Sequence, residues 1–140
     1  MIHPATTEDY GDWLSSYSWT WWCTLTFAAP RSTRAALRAG KRWTHDVRSL
    51  LRSRSLGWFL GAETGTITGR EHLHGLLSVP DVGVGGLEFA RQAAWELWFA
   101  RNGRALVLPY DHQLGASHYV AKYCVKALSE WDIGGRWVEA

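Results

Sequence analysis

Residues 72 to 77 read HLHGLL, and the two imidazoles on either side of one leucine suggest a chemical use. Alternate side chains of a β-strand project to opposite faces, so His72 and His74 stand side by side while Leu73 goes to the other face. Neutral imidazoles placed this way suit a divalent cation. A strand whose solvent face happens to carry two polar residues would look the same, and the pair alone does not decide. The neighbouring chain adds a carboxylate. GWFLGAE (57–63) and HLHGLLSV (72–79) both read as apolar strands, joined by TGTITGRE, whose Gly and Thr content suits a hairpin loop. Symmetric pairing about that loop sets Glu63 opposite His72 and on the same face as His74. Glu71 points the other way and is the second choice. Two imidazoles and one carboxylate suit Mn²⁺ or Mg²⁺ with coordination positions left open for a phosphate oxygen, whereas a closed structural zinc site would want a fourth protein ligand.

A second constellation lies near the C-terminus in HQLGASHYVAKYCVKAL, where residues 113–128 read as a helix. At about 100° per residue, Tyr119, Lys122, Tyr123 and Lys126 share one face, and Leu114, Ala121, Cys124, Val125 and Leu128 take the opposite one. A phenol with a pKa near 10 is a poor nucleophile until a polarised phosphate or a neighbouring ammonium assists it. The same face also suits base stacking by the tyrosines with lysines on phosphates, and both readings stand.

The elements that must position these groups follow from period and punctuation. WTWWCTLTF (19–27) alternates, with Thr20, Trp22, Thr24 and Thr26 on one face and Trp21, Cys23, Leu25 and Phe27 on the other, as a central strand would. Residues 31–54 read as a helix, with Ser32 or Thr33 as N-cap after Pro30 and Ala36, Trp43, Val47, Leu50 and Leu51 on its apolar face. That stretch holds eight of the fifteen Lys and Arg residues against one acid, Asp46, which suits either a solvated face or contact with a polyanion. Residues 86–100 form a second, amphipathic helix, 104–110 a fourth strand, and the tail GGRWVEA an edge strand or irregular chain. The order β-α-β-β-α-β-α predicts an α+β domain, a central antiparallel sheet flanked by helices on a ferredoxin-like or RRM-like plan.

Composition agrees with one globular domain over residues 1–140. No apolar run approaches the roughly 18 residues of a membrane span, and MIHPATTEDYGDW opens polar and acidic rather than as a leader, so a soluble cytoplasmic protein with no membrane partner is expected. Cys23 and Cys124 are too far apart for a C-x-x-C motif, and reduced thiols are expected. Ten tryptophans suggest a stacking surface as well as a core.

In order, WCTLTF, HLHGLL and YVAKYCVK resemble the three motifs of HUH endonucleases of the rolling-circle replication initiator (Rep) class, known from plasmids, small phages and single-stranded DNA viruses. The likeness covers most of the chain. It implies the HUH endonuclease fold, with Glu63, His72 and His74 as metal ligands and a helical tyrosine that attacks phosphorus to leave a 5′-phosphotyrosine and a free 3′-OH, assisted by lysine. Its substrate would be single-stranded DNA or an origin stem-loop. Both Tyr119 with Lys122 and Tyr123 with Lys126 fit the family's Tyr-x-x-Lys pattern; Tyr123 is preferred, and phage-type initiators use two tyrosines in turn. The chain lacks G-x-x-x-x-G-K-[ST], so no helicase domain is expected, and a separate helicase and polymerase would be partners, in a bacterial cytoplasm or, for a eukaryotic virus, a nucleus. Relaxases resemble the histidine cluster too, with Tyr10 and Tyr17 as their candidates. The alternatives are a single-tyrosine transposase of the insertion-sequence type and a noncatalytic RRM-like binder of single-stranded nucleic acid.

Overall fold

The computed structural model describes residues 7–64, 70–115 and 131–140. Along the chain run α1 (Thr7–Ser15), β1 (Tyr17–Ser18), β2 (Trp21–Thr26), α2 (Thr33–Leu51), β3 (Gly57–Thr64), β4 (Glu71–Ser78), a 3-10 turn (Val84–Gly86), α3 (Leu87–Arg101), β5 (Ala105–Pro109), β6 (Trp131–Gly135) and β7 (Val138–Glu139). The main sheet has the order β5-β2-β4-β3-β6 with every neighbouring pair antiparallel. Without β6, this is the strand order of a ferredoxin-like plan, as the element sequence predicts. No described helix is long and apolar enough to cross a membrane.

One sheet face packs under α2 and α3. The alternation of β2 appears directly as burial, with Trp21, Cys23 and Leu25 buried beneath the helices and Trp22, Thr24 and Thr26 half-buried on the other side. Ser32 caps α2 by accepting the Ala35 amide at 3.1 Å, and the helix buries Ala36, Gly40, Trp43, Thr44 and Val47. Leu50, expected on that stripe, is instead 53% exposed in the last turn. Gly40 sets how closely the helix approaches, because a Cβ there would lie 2.7 Å from Leu73 Cδ1 and 2.8 Å from Leu60 Cδ1. Indole donors fix the helical layer. Trp43 Nε1 donates to Ala94 O at 2.8 Å, joining α2 to α3, and Trp98 Nε1 donates to Thr26 O at 2.9 Å, joining α3 to the end of β2. On the outer side of β5, Trp95 Nε1 donates to Ala105 O (2.9 Å) and Arg91 Nη1 to Val107 O (2.7 Å), while Glu88 holds Arg91 from the preceding turn.

The described residues cover half of the opposite face. Leu14, Trp19, Phe59, Leu76 and Tyr110 form a second cluster, closed by Trp13, Tyr17, Trp22, Trp131 and Trp137. Trp13 of α1 packs edge-on against Phe59 (6.3 Å between ring centroids) and Trp131 (5.9 Å), and Trp137 lies 5.0 Å from both Tyr17 and Trp19. The chain ends meet here, since β1 pairs with β7 through Tyr17–Glu139 and Ser18–Val138. Five of the ten tryptophans are buried and the other five, Trp13, Trp22, Trp95, Trp131 and Trp137, are half-buried, so most of the indole surface goes into packing.

Three further expectations need correction. The N-terminal region carries α1, which no pattern in the sequence announces, and the C-terminal chain forms two strands, with β6 starting at Trp131, ahead of the GGRWVEA tail, and β7 (Val138–Glu139) lying within it as an edge strand paired to β1. The helix expected over 113–128 meets a turn at 111–115, where the Leu114 and Gly115 amides donate to Asp111 O and Gly115 takes φ +74°. Residues 116–130 lie outside the described residues, and with them Tyr119, Lys122, Tyr123, Lys126 and Cys124.

Candidate metal centre

The end of the second face that no described element covers carries the two histidines. Pairing of β3 with β4 sets Glu63 opposite His72 and Gly61 opposite His74, the register that symmetric pairing about the loop requires. On the other flank, β2 sets Thr26 beside His72 and Thr24 beside His74. The histidine pair therefore sits on the central strand, with a carboxylate on one side and two hydroxyls on the other.

The side chains converge. Glu63 Oε2 lies 2.9 Å from His74 Nε2 and 3.2 Å from His72 Nε2, and the two imidazole rings stand edge to face at 4.8 Å between centroids. Glu63, His72 and His74 are the one group of His, Cys, Asp or Glu among the described residues whose ligand atoms come together, all within 4.8 Å of one another. One carboxylate oxygen spans two ring nitrogens, near where a shared cation would sit. His74 is the more enclosed ring, its side chain 9% exposed against 23% for His72. Burial first, and then the neighbouring His72, push its pKa down to about 4 against the opposing pull of Glu63. At neutral pH it is an uncharged imidazole with a lone pair to give.

Thr24 orients that lone pair. Its Oγ1 lies 3.3 Å from His74 Nδ1, so a proton on Nδ1 can point at the hydroxyl and leave Nε2 free for a cation. Thr26 is used differently, donating to Arg104 O at 2.8 Å. The alternating threonines of β2 marked the face in the sequence, but not which of them meets a ring.

Beside His72 opens a cavity of about 530 Å³, bounded by the ends of β2, β4 and β5. Arg70 and Arg104 contribute cationic groups to its wall, and Phe99 an aromatic ring that is 55% exposed. Glu71 also lines it. That side chain is buried on the helix-facing side of β4 and is not part of the ligand group, which rules it out as the third ligand in this arrangement. Cys23 is likewise no ligand, because it is free and fully buried, and burial drives its thiol pKa upward. Tyr17 packs against Trp137 within the aromatic cluster. Neither Arg104 nor Phe99 had a sequence signal, since each gains its meaning only when three strand ends meet.

The donor set of two nitrogens and one oxygen fits a cation that keeps open positions, with the carboxylate supplying negative charge. No protein family, curated protein or solved structure matches the chain.

Proposed function

We propose that this chain is a metal-dependent endonuclease and strand transferase acting on single-stranded DNA, of the HUH replication-initiator type. The observation that carries this reading is the convergence of Glu63, His72 and His74 on an open face of a ferredoxin-like sheet, in the register the hairpin requires. These three residues would hold Mn²⁺ or Mg²⁺, which when bound would supply Lewis-acid polarisation of a scissile phosphate. Glu63 fixes the charge of the site, His74 is oriented by Thr24, and Arg70 and Arg104 line the adjoining cavity, where a flanking phosphate is neutralised.

Tyr123, or Tyr119, acts as nucleophile. Its oxygen forms a bond to phosphorus, the bond from phosphorus to the 3′ oxygen breaks, and the leaving strand takes the proton as a free 3′-OH. Lys126 or Lys122 offsets charge on the phosphate. The retained 5′-phosphotyrosine allows rejoining without ATP, and the free 3′-OH primes rolling-circle synthesis by a separate polymerase and helicase.

Incubation with Mn²⁺ and pooled stem-loop oligonucleotides of randomised loop sequence, followed by denaturing electrophoresis, tests this reading. A covalent adduct is expected, mapped by mass spectrometry to Tyr123 or Tyr119, lost in His72→Ala and His74→Ala, and lost in the phenylalanine variant of the acting tyrosine. A mobility shift seen only under native conditions would mark a noncatalytic binder and overturn the endonuclease reading.

A further inference from the structure

The helical layer carries a second feature, remote from the face that bears Glu63, His72 and His74. Arg31 just before α2, Arg38 and Arg42 along it, and Arg101 at the end of α3 line a groove of about 340 Å³ between the two helices. All four arginines are exposed, and none forms an ion pair among the described residues. The groove's single carboxylate is Asp46. Four guanidinium groups facing one groove repel one another, an arrangement that a polyanion relieves.

The spacing narrows the ligand. Arg38 and Arg42 are one turn apart, so they advance by about 6 Å along the helix, while Ala35 and Ala39 keep the wall between them low. Arg31 is braced over the Phe27 ring, 5.0 Å from its centroid. Trp43, the aromatic residue in the lining, is buried and its indole N–H is taken by Ala94 O. Surfaces for single strands interleave cations with open aromatic faces on which bases stack, and this groove offers the cations without the platform. Phosphates are what it can hold.

We propose that this groove binds the phosphate backbone of double-stranded nucleic acid, without regard to sequence. It thereby clamps the duplex that flanks the strand handled on the opposite face. The flanking role rests on the endonuclease reading; backbone binding by the groove does not.

The test measures binding of a DNA duplex of arbitrary sequence, in EDTA, across a series of KCl concentrations. Arg38→Ala/Arg42→Ala/Arg101→Ala should weaken binding and make the log–log salt slope shallower by about 0.9 per lost contact, about 2.7 in total. The corresponding triple lysine variant should keep the slope, because charge is retained. Should the triple alanine variant fail to fold by circular dichroism, the three single variants each carry an expected change of about 0.9. Unchanged affinity and slope would overturn the proposal, as would an equal loss on duplex and on a single strand of the same length. Adduct formation on a short single-stranded oligonucleotide should be normal in the triple alanine variant. If the wild type forms no adduct while the slope difference persists, the endonuclease reading fails and the groove stands; a normal adduct with an unaltered slope means the reverse.

Discussion

Along the open face of the sheet, three successive cross-strand pairs of β3 and β4 change character abruptly: Phe59 with Leu76, Gly61 with His74, Glu63 with His72. The first pair is buried under Trp13 and the aromatic cluster of the chain ends, and the last borders a solvent-lined cavity. Same-face pairs are only about 7 Å apart along a strand, so the change from core to ligand group takes two steps. The comparison shows how a small domain obtains a stiff site. The aromatic end holds the strands in register, and the polar end uses that register to bring its ligands together, with no described element over them. His74 stands on the boundary, close enough to the apolar end to be desolvated and close enough to Glu63 to point at it.

The largest effect should come from the aromatic end. Phe59→Ala should destabilise the fold by about 3–5 kcal/mol in urea unfolding, while the folded fraction keeps its Mn²⁺ affinity. A parallel loss of affinity would show that the two ends form one cooperative unit. His74→Ala should do the opposite, lowering Mn²⁺ affinity by more than about 100-fold in calorimetric titration, since even an outer partner of a ligand is worth about 10–100-fold. Its effect on metal-free stability should be far smaller than that of Phe59→Ala.

Acid should separate the ends further. In the fold His74 titrates at about 4 rather than its usual 6.5, so between those values the unfolded chain binds the extra proton. Stability of the metal-free protein should therefore fall as pH drops through that window, by up to about 1.4 kcal/mol per pH unit. His74→Asn should flatten this dependence in thermal melts recorded across pH. The smallest effect belongs to Thr24→Val. Removing the hydroxyl at His74 Nδ1 should lower Mn²⁺ affinity about tenfold with little change in melting temperature. An unaltered affinity would leave the ring oriented by Glu63 alone.

Much of this division is legible in the sequence, for identifiable reasons. Two-residue alternation in β2 and the symmetric hairpin locate Glu63, His72 and His74 on one face, because strand periodicity and register are local properties. The Ser32 cap and the Ala36, Trp43 and Val47 stripe locate α2 equally well. What fails is long-range or ambiguous. Residues 17–18 pair with 138–139, and β6 adds to β3 from more than sixty positions away, with no periodic signal in segments so short. Tryptophan content cannot distinguish a packed indole from a stacking one, and here most of the indole surface went into packing. The tyrosine helix falls outside the described residues, so Tyr119 and Tyr123 rest on the sequence pattern.

The two donors on the outer side of β5 bear on how open this edge is to strand addition. An edge strand is a template on which another chain can add, and it needs free amides and carbonyls in alternation to do so. Along β5 the carbonyls of Ala105 and Val107 are already engaged by Trp95 and Arg91, and Pro109 has no amide to offer. An incoming strand would have to displace an indole and a guanidinium held by Glu88 before it could donate to either carbonyl. α3 therefore guards this border against templated aggregation, and the charge and the rings that do so come from its flank rather than from the strand itself.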